Sequence, residues 1–221
     1  MAGEKSPEQR PPNPDSDRFA PGAWRYALAG FALAVPAAIL ARLRDRSRAW
    51  GLGFALLGVG ALLFHRDPDR TPPDSGVLAP ADGRVSVVRE EGDRVRVGVF
   101  MNVTDVHVNR APLGGRVEAV EHEPGKHRPA FSKESDKNEK LHVRFADHDV
   151  TLIAGAFARR IHPYVESGDE LGRGERLGHV SFGSRADVLL PESVGLGDVA
   201  VERGQKVRAG ETVLADTQSP L

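Results

Sequence analysis

Two stretches of this chain leave almost no face for water. Residues 24–41 (WRYALAGFALAVPAAILA) and 49–64 (AWGLGFALLGVGALLF) are apolar all round apart from Arg25, and Arg42, Arg44, Arg46 and Arg48 lie between them with Asp45. A helix apolar on every side has to be buried on every side, in a protein core or in lipid. At about 1.5 Å per residue the first run just crosses a hydrocarbon core of about 30 Å, while the second is short for it. Trp24 and Trp50 stand at run ends, where amphipathic rings favour a membrane interface. The pair is expected to form a helical hairpin in or across a membrane, over residues 23–65, with its arginines facing anionic headgroups. A hairpin that spans would put this basic loop in the cytoplasm and the remainder of the chain outside; one that dips into a single leaflet keeps both ends on one side. The reading adopted is the cell membrane, with the C-terminal domain on the cytoplasmic side.

The flanks differ in kind. Residues 1–22 are rich in Pro, Asp, Arg and Ser and nearly free of apolar residues, the composition of a disordered arm. They do not read as a secretory signal, because the apolar run starts late and lacks a charged lead. Beyond the turn-rich residues 65–73 the period changes to two, with short β-type segments at 85–88, 94–100, 106–108, 117–120, 141–145 and 150–154. Residues 66–221 therefore read as one mostly β domain, with 156–161 a candidate exception. The 30 basic and 31 acidic residues nearly cancel, so charge suggests no nucleic-acid partner. With no cysteine there is no thiolate metal site, no Cys nucleophile and no disulfide, and no metal is expected.

An internal repeat shapes the C-terminal part. Residues 165–177 (VESGDELGRGERL) align with 201–213 (VERGQKVRAGETV), as two equivalent corners of one β fold would. With residues 79–85 (APADGRV) they resemble the corners of the barrel-sandwich hybrid fold of biotinyl and lipoyl carrier domains. A carrier presents a lysine at a hairpin tip, and none stands there.

Between a strand ending near Phe182 and another at 188–190 lies Gly183-Ser184. Gly-Ser is a common turn pair. It also has a chemical reading: a hydroxyl held against the carbonyl carbon of the preceding residue can attack its own peptide bond. The resulting ester could eliminate, leaving Gly183 as a carboxylate and Ser184 as an N-terminal pyruvoyl group.

Several separated motifs favour the chemical reading. Residues 64–68 (FHRDP), the Asp82-Gly83 pair, 100–112 (FMNVTDVHVNRAP), 133–140 (KESDKNEK) and 182–185 (FGSR) resemble, in the same order, the motifs of the short prokaryotic branch of the phosphatidylserine decarboxylase proenzymes. The resemblance implies self-cleavage between Gly183 and Ser184 into a β chain, 1–183, and an α chain, 184–221, that stay associated. It implies a pyruvoyl cofactor from Ser184, which condenses with the amine of phosphatidylserine as a Schiff base and yields phosphatidylethanolamine and CO2. Asp82 matches an acidic residue that assists cleavage; on local grounds it is equally an Asp-Gly turn. His107 matches a histidine tied to decarboxylation, where a proton donor titrating near neutrality fits. Ser135, Asn138 and Glu139 match a polar motif expected to line the headgroup site, and a solvated loop is the alternative. Arg185 suits a substrate carboxylate or phosphate, or else an ion pair with Asp187. Arg110 stands where the longer branch has a second histidine, which leaves the base for cleavage open between His107 and another of the eight histidines, such as His179. The oligomeric state stays open. The competing class is a non-catalytic, membrane-anchored barrel-sandwich binding module.

Overall fold

A computed structural model describes residues 19–20, 23–43, 49–126, 137–155, 161–180 and 184–217. Most of the arm, the arginines at 44, 46 and 48, and Ser135, Ala156 to Arg160 and Gly183 lie outside the described residues. The chain divides into two compact units, Met1–Pro68 and Asp69–Leu221.

The first unit holds α1 (Ala23–Leu43) and α2 (Ala49–Phe64), matching the two apolar runs to within two residues. They pack where glycines allow close approach: a Cβ on Gly30 would lie 2.8 Å from the Gly58 Cα. Leu28, Leu33, Val35 and Ile39 on α1 and Leu52, Leu56, Leu57 and Leu63 on α2 are largely exposed, the reverse of a water-soluble helical pair. Residues Ala23–Leu40 form an 18-residue window with mean hydropathy 1.5, long enough to cross a membrane, while the apolar part of α2, Leu52–Phe64, is shorter. At the exit of α2 the His65 ring stacks on Tyr26, and the Ala20 N–H donates to the His65 carbonyl at 2.7 Å.

The second unit is built from short strands: β1 (Val77–Leu78), β2 (Gly83–Glu91), β3 (Arg94–Phe100), β4 (Val108–Arg110), β5 (Gly115–Arg116), β6 (Ala119–Glu123), β7 (Lys140–Arg144), β8 (Asp149–Ile153), β9 (Ile161–Pro163), β10 (Glu170–Leu171), β11 (Arg176–Val180), β12 (Arg185–Leu189), β13 (Lys206–Val207) and β14 (Val213–Ala215). Seven form one antiparallel sheet in the order β13-β2-β3-β12-β8-β7-β6; β4-β11-β9 form another, and β1-β14 and β10-β5 form pairs. The protein is thus mostly β with an N-terminal helical pair, as the sequence predicts. Among the described residues the sheets do not close into a barrel.

Alternation decides what each strand buries. Val95, Val97 and Val99 of β3, Ala186 and Val188 of β12, Val150 and Leu152 of β8, and Leu141 and Val143 of β7 all enter one core. The opposite face of this sheet carries charge, in a groove of about 500 Å³ lined among others by Arg96, Lys140, His142, Arg185 and Asp187. The cations there are paired: Arg96 with Glu91 at 2.6 Å, Lys140 with Glu123 at 3.3 Å, and Arg185 with Asp187 at 2.8 Å. Burial pushes the Asp187 carboxyl up, against the pull of Arg185 and Arg96.

The repeat folds as two copies of one corner. Gly168 and Gly204 have φ of 100° and 90°, and Gly174 and Gly210 have 82° and 71°, so each corner turns twice through the left-handed region that glycine favours. After the first turn the Asp169 carboxylate accepts the Glu166 N–H; the aligned Gln205 side chain accepts the Glu202 N–H. Strands β10 and β13 occupy equivalent positions in the two copies.

Candidate active site

Ser184 stands immediately before β12, a central strand flanked by β3 and β8. Pairing of Arg185 with Phe100 brings the next residue along, Met101, beside Ser184. The Met101 N–H donates to the Ser184 carbonyl at 2.9 Å, fixing the serine backbone. Both residues have no exposed surface, and the Ser184 hydroxyl faces the Met101 sulfur at 3.7 Å. A thioether is a weak acceptor. The hydroxyl is therefore enclosed without being committed to a strong partner among the described residues.

From Met101 the chain makes a tight turn, in which the Asp105 carboxylate accepts the Asn102 N–H at 2.9 Å. The turn delivers His107, 2% exposed, with Nδ1 at 2.9 Å from the Asp105 carbonyl. A carbonyl oxygen only accepts, so Nδ1 carries the proton and Nε2 is the basic nitrogen of the neutral ring. The His107 carbonyl in turn accepts the Val180 N–H at 3.3 Å, tying this segment to the strand that leads to the Gly183-Ser184 bond.

Other residues singled out by the sequence have different surroundings. The Asp82 carboxylate accepts two bonds from Arg70 at 2.9 Å and one from the Ala209 N–H at 2.8 Å, with the Arg70 and Asp82 side chains only 7% and 14% exposed. Its neighbour Gly83, at φ 149°, lies so close to Phe100 that a Cβ would overlap the Phe100 carbonyl oxygen. Asp82 is thus one residue from the backbone that carries Met101, while its charge is directed at Arg70. Arg110 is buried, donates to the Gly174 carbonyl at 3.1 Å and offers no acceptor, so it ties β4 to the first corner of the repeat. The His179 ring stacks on His162 at 4.5 Å, and its Nδ1 lies 2.9 Å from the Tyr164 hydroxyl. Asn138 donates to the Ala154 carbonyl at 2.8 Å, and Glu139 meets His122 on β6 at 2.8 Å. Arg185 adopts the ion pair with Asp187.

Met101, Asn109 and Arg70 were not singled out by the sequence. Asn109 alternates with His107 along VHVNR, a period-two signal that could have pointed to it, although β4 begins only at Val108 and His107 lies just before it. Nothing local marks Met101 or Arg70, whose partners lie 83 and 12 residues away.

The family model for phosphatidylserine decarboxylase matches residues 61–215, which include every strand described above. The chain belongs to the phosphatidylserine decarboxylase family. Among its relatives, a putative archaetidylserine decarboxylase proenzyme of Halobacterium salinarum is 61% identical over 88% of this chain and 97% of the relative. A phosphatidylserine decarboxylase proenzyme of Streptomyces griseus is 45% identical over 88% of this chain and 92% of its own length. Another, of Thermobifida fusca, is 43% identical over 95% and 98%. Membership makes this chain a carboxy-lyase of a proenzyme family and replaces the reading as a non-catalytic binding module.

Proposed function

We propose that this chain is a membrane-attached, pyruvoyl-dependent decarboxylase that cleaves itself between Gly183 and Ser184 and then removes CO2 from a serine phospholipid, phosphatidylserine or its ether-linked counterpart. The observation that carries this is the fully buried Ser184, at the head of a central strand, with its backbone clamped by Met101 and its hydroxyl given only a weak sulfur acceptor among the described residues.

In the first stage the Ser184 Oγ bonds to the Gly183 carbonyl carbon, the Gly183–Ser184 C–N bond breaks, and the hydroxyl proton passes to the released amine. Removal of the Ser184 α proton then expels the Gly183 carboxylate from Cβ. The resulting unsaturated amine takes up one water and loses ammonia, leaving the pyruvoyl group. Enclosure and the 2.9 Å clamp on the carbonyl of residue 184 suit a group that must be held still and kept from water. That group supplies a carbonyl for a primary amine and a sink for the electrons left by departing CO2.

The chain's own residues supply the proton handling. His107, fixed by the Asp105 carbonyl, is assigned the return of a proton to the carbon that lost CO2. Asp82 is assigned a supporting part in cleavage, through the position of Gly83 against Phe100 and Met101. Ser135, Asn138, Glu139 and Arg185 are kept as headgroup candidates. The exposed apolar faces of α1 and α2 would lie in lipid, keeping the domain at the surface where the substrate resides.

Denaturing intact-mass spectrometry of the purified protein tests the self-cleavage. Two species are expected, corresponding to residues 1–183 and 184–221, the second beginning with a ketone that borohydride links to phosphatidylserine. A fully active preparation containing only the 221-residue species would overturn the proposal. His107→Asn should separate the two stages: Asn still donates to the Asp105 carbonyl but has no titrating nitrogen. With another histidine such as His179 as the base, cleavage should proceed, while kcat for CO2 release falls about 10²–10⁴-fold. Wild-type kcat in the cleaved variant would remove His107 from the chemistry.

A further inference from the structure

Asn109, in the middle of β4, has no exposed surface, and its side-chain amide is only half used. Nδ2 donates to the Pro80 carbonyl at 3.3 Å, and that carbonyl also receives the Arg110 N–H at 2.9 Å. Since the Pro80 oxygen can only accept, the amide cannot be turned over without setting two oxygens against each other. Oδ1 is therefore the atom left over, and it has no hydrogen-bond partner among the described residues. A fully buried acceptor without a donor works against folding, so a role in the fold alone would favour an apolar residue of the same size.

What Asn109 does touch is the neighbour of the cleaved bond. Its Nδ2 lies 3.7 Å from the Met101 sulfur, the same atom to which the Ser184 hydroxyl donates at 3.7 Å. Met101 is fully buried, and its N–H holds the Ser184 carbonyl, so amide, thioether and hydroxyl form one closed chain of contacts. Methionine has three rotatable side-chain bonds and fills space loosely unless something fixes it. Beyond core packing, the sulfur takes a polar contact from the Asn109 amide, itself anchored on Pro80.

We propose that Asn109 is a positioning residue for self-cleavage, acting through Met101: it pins the thioether, and the pinned thioether holds the Ser184 hydroxyl in one rotamer through a bond weak enough to release its proton. The step it serves is the one written above, with the Oγ–C bond forming, the C–N bond breaking and the hydroxyl proton passing to the amine. A stronger acceptor in place of the sulfur would stabilise the hydroxyl where it stands, and an unpinned sulfur would let it rotate out of reach of its target. The inference rests on the self-cleavage reading and adds to it a residue with no acid–base function.

The test is a double-mutant cycle on the cleavage rate, with full-length precursor made by cell-free translation into detergent and sampled over time by denaturing electrophoresis. Asn109→Leu is close in volume and removes the orphaned oxygen, so the melting midpoint, measured in an uncleavable Ser184→Ala background, should stay the same or rise. Cleavage should slow at least tenfold. Met101→Leu, a volume-conserving core exchange, should slow it to a similar degree. The double variant should be no slower than either single one, because both remove the same constraint. Cleavage of Asn109→Leu within twofold of wild type, or fully additive losses, would overturn the proposal, as would losses of rate that merely track the melting midpoint. If Asn109→Leu fails to fold, Met101→Leu decides alone: a tenfold loss supports the proposal and a wild-type rate ends it. A wild-type chain that never cleaves would instead sink the underlying reading of Gly183-Ser184.

Discussion

Ser184→Ala is expected to remain a single chain of 221 residues and to release no CO2 from phosphatidylserine vesicles at any enzyme concentration. The change deletes one oxygen whose hydrogen-bond contact among the described residues is a sulfur 3.7 Å away, so little of the described fold depends on it. The backbone bond from the Met101 N–H to the carbonyl of residue 184 is untouched, and alanine fits the space. The domain should therefore fold, and its melting midpoint should stay within a few degrees of the uncut wild-type precursor. The chemical loss is total for a different reason. Without Oγ there is no nucleophile, hence no ester and no carboxylate to expel, and no carbonyl is generated to take the substrate amine. Intact mass and CO2 release measured on the same sample give the answer together. An uncut variant that still decarboxylates would remove the pyruvoyl mechanism, and a variant that is still cut would place the scissile bond elsewhere.

Patterns confined to one element were readable in the sequence. The alternation in 94–100 gives β3 to the residue, and the all-round apolarity of 24–41 and 49–64 gives two helices with ends at most two residues away. The repeat gives two corners because its glycines sit where the backbone must turn through positive φ, a demand local enough to leave a residue-level trace. The segment read at 106–108 is shifted to 108–110 by the Asn102–Asp105 turn, whose side-chain bond competes with strand pairing and holds His107 out of it. What the sequence left open was the order of strands. β12 pairs with β3 and β8, neither of them next to it along the chain, and no local residue preference encodes that.

The same division runs through the site. Ser184 and His107 could be nominated from the sequence because their motifs are compact. Asp82 was ambiguous because an Asp-Gly turn and a functional acid look alike until the partner is known; the partners are Arg70, and an N–H 127 residues away. Met101 and Asn109 were passed over because their meaning comes from a sulfur that meets Ser184 only after β3 and β12 have paired. Arg110 shows the converse, in that the motif draws attention to it as an arginine while its use as a buried tie to Gly174 required the fold.

Gly83→Ala should be the most damaging single methyl group in the β domain. At φ 149° the residue lies in a region that only glycine occupies without strain, which in general costs an L-residue about 1–3 kcal/mol. The new Cβ would also overlap the Phe100 carbonyl oxygen and come within 3.3 Å of the Met101 Cα, so the obstacle is backbone and has no side-chain route of escape. Relief requires β2 to part from β3 beside Met101. Gly92→Ala is the matched control: its φ is 63° and nothing lies within 4 Å of the added carbon, so it carries the left-handed penalty, about 1–2 kcal/mol, without the collision. For a chain of this size each kcal/mol lowers the melting midpoint by about 2–4 °C. In the uncleavable Ser184→Ala background, followed by circular dichroism, Gly92→Ala should lose roughly 2–8 °C on that scale, and Gly83→Ala more than about 10 °C or all soluble protein. In the cleavable chain the difference should reappear as chemistry, because a displaced Phe100 carries Met101 with it and loosens the clamp on Ser184: Gly92→Ala cleaves at the wild-type rate, while whatever Gly83→Ala precursor survives stays uncut. Equal midpoints for the two variants would mean that the close passage of Gly83 over Phe100 does not hold the cleavage site in place.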